Sequence, residues 1–158
     1  MIIQPAAKVA ETAQEDDLWA RCLQSLGKIQ SMLHYYDAAQ EILCAAQTKF
    51  EGIRDQLGVA QCLQHVGDIQ KVLQHYDIAQ KMLSAAQTKF ESIGEHIQRK
   101  LHYYDISQEM LSAAQTKFEG IGHQLGVAQC LQSLGRIQMR LRHYDIAWEN
   151  IIYRSNQV

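Results

Sequence analysis

Apolar residues recur at helical spacing over most of this chain. Leu57, Ala60, Leu63, Val66, Gly67, Ile69 and Leu73 fall on one face of a helix. Gln74-His75-Tyr76 then reads as a short turn. Asp77 with Gln80 three residues later reads as a capping box that opens a second helix. The stripe resumes at Ile78, Ala79, Met82, Leu83, Ala86, Phe90 and Ile93. The predicted unit is therefore helix A, turn, helix B. Pro occurs once, at Pro5, so nothing downstream interrupts a helix.

The unit repeats. AAQTKFE occurs at 45–51, 85–91 and 113–119, and QLGVAQCLQ at 56–64 and 124–132. Such self-similarity marks an array of one helical unit, whose function is carried by extended surfaces rather than by one pocket. Asp37/Gln40 and Asp105/Gln108 repeat the cap, while Asp145 is followed by Trp148 where Gln is due. The expected fold class is an all-α, helix-turn-helix repeat solenoid forming a single domain over residues 1–158. Its repeats span about 18–56, 57–96, 97–123 and 124–158.

The third repeat is truncated. Phe50 to Phe90 is 40 residues, but Phe90 to Phe118 is 28, so 12 residues matching QLGVAQCLQSLG are missing between His96 and Ile97. Across the gap, Leu83, Ala86, Phe90, Ile93, Ile97, Leu101, Tyr104, Ser107, Leu111, Ala114 and Phe118 keep steps of 3 or 4. That spacing predicts one fused helix from about Asp77 to Phe118. The alternative is a bend at Gly94 with a stub of helix A. Loss of a helix A strips cover from its neighbours, so Phe90, Ile93, Ile97, Leu101 and Tyr104 are candidate self-association residues, and a homodimer is expected.

The spacing Gly67–Ala79–Leu83–Ala86, shared by Gly27–Ala39–Leu43–Ala46, resembles the tetratricopeptide repeat, in which Leu-Gly on helix A meets Ala and Phe on helix B. Leu26-Gly27, Val66-Gly67 and Leu134-Gly135 hold the Leu-Gly place. The 40-residue period resembles the long-period subclass of kinesin light chains, spindle-orientation adaptors and fungal NOD-like receptor arrays. The resemblance covers about Leu18 to Ile152 and implies a peptide- or protein-binding groove on the helix A layer. Gln24, Lys28, Gln61, Gln64, Asp68, Gln129, Gln132 and Arg136 are the candidate groove residues, since amides both donate and accept towards a peptide main chain. The Lys and Asn clamp of chaperone-binding members is replaced here by Gln and mixed charge, so a chaperone-tail partner is not expected. The aromatic usual late in helix A is Gln30, Gln70, Gln98 and Gln138 here.

Composition narrows the function classes. The net charge of -2 with interspersed signs leaves no basic footprint for nucleic acid. No segment has the apolar length of a membrane span, and the N-terminal residues lack a signal-peptide core. A cytoplasmic protein is expected. Cys22, Cys62 and Cys130 hold one repeat position, and with Cys44 they read as buried, reduced thiols. His34, His75, His102 and His143 fall one per unit in the expected turns, and no Cys-x-x-Cys or His-x-x-x-His pair offers zinc geometry. No phosphate loop, nucleophile elbow or dinucleotide fingerprint occurs, so no enzyme activity, metal or cofactor is expected. The expected function is a non-catalytic protein-interaction module. The alternatives are a self-assembling homo-oligomer or a piece of a larger receptor-type array.

Overall fold

The computed structural model describes residues 3–156, with side chains from Glu11 onward except at Ser155. The end of the fourth repeat, Gln157 and Val158, lies outside the described residues. The chain is all-α: α1 spans Ile3–Met32, α2 Tyr36–Gly52, α3 Gln56–Val72, α4 Tyr76–Gly120 and α5 Gln124–Ser155. No strand occurs among the described residues. The helices pack against their sequence neighbours, as in a helix-turn-helix repeat array. Two compact units emerge, one reaching to Glu91 and the other beginning at Ser92.

In the first unit α2 packs on α1 and α3. The small residues do what their spacing implies. A Cβ added at Gly27 would lie 2.7 Å from Leu43 Cγ, and one at Gly67 would lie 2.8 Å from Leu83 Cγ and Cδ2. Phe50 sits over Gly58 in the same way, its ring filling the space a Cβ would take. These approaches let Ala39, Leu43, Val66 and Ile69 form a closed core, with Tyr36 and Leu73 against it.

Each interhelix turn uses one residue in the left-handed region: His34 (φ 64°), Arg54 (φ 59°), Gln74 (φ 62°) and Gly122 (φ 70°). Behind each, a backbone N–H reaches back five residues: Tyr35 to Gln30, Asp55 to Phe50, His75 to Gln70 and His123 to Phe118, all at 2.9 Å. This is the Schellman closure of a helix C-terminus. Three of the four turn residues are not glycine, so each costs roughly 1–2 kcal/mol that packing must offset.

The truncated repeat behaves as its spacing predicts. α4 runs unbroken for 45 residues through Gly94 and the deletion point. Gly94 is accommodated because Trp148 Cζ3 lies 3.0 Å from where its Cβ would be. The capping boxes are corrected. Asp37 and Asp77 sit inside the first turns of α2 and α4 rather than at N-caps. The actual side-chain caps are Asp55, whose carboxylate accepts from Gly58 N at 3.0 Å, and His123, whose Nδ1 accepts from Gly126 N at 2.9 Å.

The fourth repeat is also corrected. α5 is a single helix through Leu141-Arg142-His143-Tyr144, where the repeat demands a turn, and Asp145 lies in its interior. His102 and His143 are accordingly helical, so of the four histidines expected in turns His34 and His75 are the two that occupy them. The first helix, expected from about Leu18, extends back to Ile3.

Candidate interaction surface

The glutamine ladder is drawn inward in the first unit. Gln24 Nε2 donates to Gln61 Oε1 at 2.9 Å, joining α1 to α3. Gln64 is buried, at 7% exposure, so it does not face an open groove. The reason is local: α3 is enclosed by its neighbours along much of its length, with Val59, Ala60, Cys62, Val66 and Ile69 buried beside it. Lys28 and Asp68 remain exposed. Although Asp68 is exposed, partial desolvation at the α3 surface raises its carboxyl above the usual range, against the pull of Lys71. In the second unit Gln129, Gln132 and Arg136 are exposed along α5. Of the eight candidate groove residues, the one pair directly joined by a described hydrogen bond is Gln24 with Gln61.

Gln70 explains the missing aromatic of helix A. Its Nε2 donates to Gln40 Oε1 at 2.7 Å, and its Oε1 lies 2.8 Å from His75 Nδ1, which donates to it. Buried at the end of α3, this amide ties α2 to the turn that starts α4. Sequence spacing gave no hint of that role, since Gln98 and Gln138 occupy the same repeat position with exposed side chains.

The self-association set is also redistributed. Phe90 and Ile97 are buried within the chain, and Ile93, Leu101 and Tyr104 are half-buried. They form the inner stripe of α4, and in the second unit Tyr104 meets Tyr144 of α5 at a ring distance of 5.8 Å. Phe90 and Ile97 are thus core positions, while Ile93, Leu101 and Tyr104 keep part of their surface open.

What stays uncovered is a different set, and repeat equivalence identifies it. Gln124–Gly135 on α5 matches Gln56–Gly67 on α3 at all but two positions. On α3, Ala60 is fully buried and Leu63 is 9% exposed; on α5, Ala128 is exposed and Leu131 is 53% exposed. Gly67 meets Leu83, whereas Gly135 has nothing within 4 Å of its Cβ position. Glu119, Gly122, Gln124, Val127, Ala128 and Leu131 line an open depression of about 430 Å³ there. On α4, Ser107, Leu111, Ala114 and Phe118 are half-buried, where Ala39, Leu43, Ala46 and Phe50 are fully buried. Met110 is exposed, whereas its equivalent Met82 touches the Gly67 site. Further along α5, Met139 (77% exposed), Ile146, Ile152 and Tyr153 also face outward.

The thiols divide. Cys62 and Cys130 are buried and Cys22 and Cys44 exposed, correcting the expectation of four buried cysteines; all four are free. Burial pushes the Cys62 thiol up to about 12, so it stays protonated and unreactive at neutral pH. Ellman's reagent is expected to titrate two thiols rapidly and the other two only on unfolding. Four equally fast thiols would contradict this burial pattern.

Among the described residues no group of three or more His, Cys, Asp or Glu side chains is arranged to hold a metal ion. No described helix is long and apolar enough to cross a membrane. No protein-family model, curated protein or solved structure matches the chain.

Proposed function

We propose that this chain is a non-catalytic protein–protein interaction module of tetratricopeptide-like repeats, acting within the cytoplasm. The observation that carries this reading is the contrast between α3 and α5: one sequence segment, closed over in the first unit and open in the second. Apolar surface of this kind, spread over the outer side of α5 and the second half of α4, is what partner binding covers. The mode differs from a polar peptide groove. Gln64 is enclosed and the Gln24 amide is engaged by Gln61, so α5 supplies the open part of the helix A layer.

Quantitative affinity capture with paired variants tests this. Met139→Glu with Ile146→Glu is expected to lose the partner, while Gln24→Ala with Gln61→Ala retains it. The reverse pattern would return binding to the amide groove. Equal retention by both variants would refute the apolar-face reading.

A further inference from the structure

The second unit keeps one side of a repeat and lacks the other. Phe118 sits over Gly126, His123 caps the Gly126 N–H, and the His123 N–H reaches back to Phe118. In the first unit Phe50 sits over Gly58, Asp55 caps the Gly58 N–H, and the Asp55 N–H reaches back to Phe50. The α4–α5 pair around Phe118 thus repeats the α2–α3 pair around Phe50. On α2, however, a second helix also packs: α1, the helix A of that repeat. The helix A that would pack in the same way on the second half of α4 is the one deleted from the third repeat. Leu43 and Ala46 are fully buried as a result, whereas Leu111 and Ala114 are half-buried and Met110 is exposed.

We infer that this face of α4, with Gln129 and His123 of α5 at its edge, docks an acidic amphipathic helix of a partner protein in the manner of α1. This deepens the interaction-module reading and rests on it. The contacts of α1 set the pattern such a helix carries. Gly27 lies close against Leu43, so a small residue belongs over Leu111. Asp16 accepts from Lys49 at 3.0 Å, and in the second repeat Gln56 of helix A accepts from Lys89 at 2.9 Å. Lys117 holds the same repeat position, is exposed, and has no bonding partner among the described residues. Gln24 donates to Gln61, and the equivalent Gln129 is exposed.

Charge selects the occupant. Arg21 of α1 lies 3.7 Å from Asp55, but the second unit has His123 in place of Asp55. Its Nδ1 accepts from the Gly126 N–H, so in the neutral ring the proton sits on Nε2, and a donor stands where Asp55 offers an acceptor. Lys117 and His123 together call for carboxylates at the places of both Asp16 and Arg21. The fitting helix has Asp or Glu at two positions five residues apart, Gln three residues on, and Gly or Ala three beyond that. Neither α1, with Arg21, nor α3, with Gln56 and Gln61, carries that pair of carboxylates. A foreign helix fits this face better than either helix A of a second copy.

Fluorescence anisotropy with the full chain tests the docking. The probe is a labelled synthetic peptide of residues 15–33 carrying Arg21→Glu and Cys22→Ser, stapled on its solvent face to hold the helix. Saturable binding is expected, about tenfold or more tighter than that of the same peptide retaining Arg21. Gly27→Leu in the peptide and Lys117→Glu in the chain are each expected to weaken binding about tenfold. Pairing Lys117→Glu with Asp16→Lys in the peptide is expected to restore it, which a folding defect would not do. Tighter binding of the peptide that retains Arg21 would mean displacement of α1 beside Asp55, and overturns this site. Binding indifferent to Lys117→Glu and to Gly27→Leu also overturns it. No binding at high micromolar concentration overturns the acidic helix as occupant, while partner loss on Met139→Glu with Ile146→Glu would still uphold the module reading. A dimer in sedimentation velocity that Lys117→Glu dissolves would place a second copy on this face, and overturns a foreign helix there.

Discussion

Truncating Phe50 to alanine is expected to cost about 3–5 kcal/mol, and truncating Phe118 about half as much. The two rings occupy the same repeat position, each over a glycine, Gly58 and Gly126 respectively. Phe50 is fully buried, so its removal forfeits the whole transfer term and leaves a cavity between α2 and α3. Phe118 is half-buried, because the second unit offers cover on fewer sides. Urea unfolding of dilute monomer gives both values. Equal losses would mean that Phe118 is as enclosed as Phe50, which contradicts an open second unit.

Alanine at the repeat glycines is expected to act with opposite signs. At Gly67 a Cβ lies 2.8 Å from Leu83 Cγ and Cδ2, and the neighbouring Met82 Cβ at 3.3 Å limits any retreat. Gly67→Ala is expected to destabilise by about 1–3 kcal/mol as overpacking. Gly135 sits in the exposed interior of α5 with nothing within 4 Å. There alanine removes the backbone-entropy penalty and is expected to stabilise by up to about 1 kcal/mol. Thermal melts of the two variants at low concentration provide the comparison. Destabilisation by Gly135→Ala would show that the last repeat folds back as a hairpin.

The parts of the fold set by periodicity were legible before the structure. The 3-or-4 stepping from Leu83 to Phe118 carried α4 across the deletion, and Gly27 and Gly67 marked the tight crossings. The turns were only half legible. Leu-x-His/Tyr-Tyr occurs at all four junctions, yet it is a turn at 33–36 and 73–76 and a helix at 101–104 and 141–144. The local sequence holds both states within reach, since His34 and Gln74 pay a left-handed penalty that a helix avoids. Tertiary cover decides between them. Where an intact helix A and helix B can close on each other, the turn forms. At 101–104 the preceding helix A is deleted and the straight helix wins; at 141–144 helix A is intact, and the straight α5 instead sets Trp148 and Ile151 against the Gly94 site. Cap chemistry misled for a related reason: Asp77 looks like an N-cap, but the reach of His75 N–H back to Gln70 starts α4 at Tyr76, two residues before Ile78.

The helix A glutamines were legible as positions, but not which of them would be open. Glutamines on helix A were expected to face a groove, and on α5 they are exposed. On α3 the same positions are consumed by packing, as Gln64 and the Gln24–Gln61 bond show. Identical residues in equivalent repeats thus have different fates, decided by which neighbours the chain supplies. No spacing rule reveals that without knowing that α5 runs straight.

A distance along α5 tests this most directly. Spin labels at Gln132 and Asn150, with Cys22 and Cys44 changed to Ser and the labelled chain diluted in unlabelled protein, report the intrachain separation alone. A continuous helix places the two Cα atoms about 27 Å apart, from 18 residues at 1.5 Å each. Observation of that distance supports a straight α5 and an uncovered repeat face. A distance near 10 Å, that of packed helices, would mean that the fourth repeat closes on itself, and the open face would be lost.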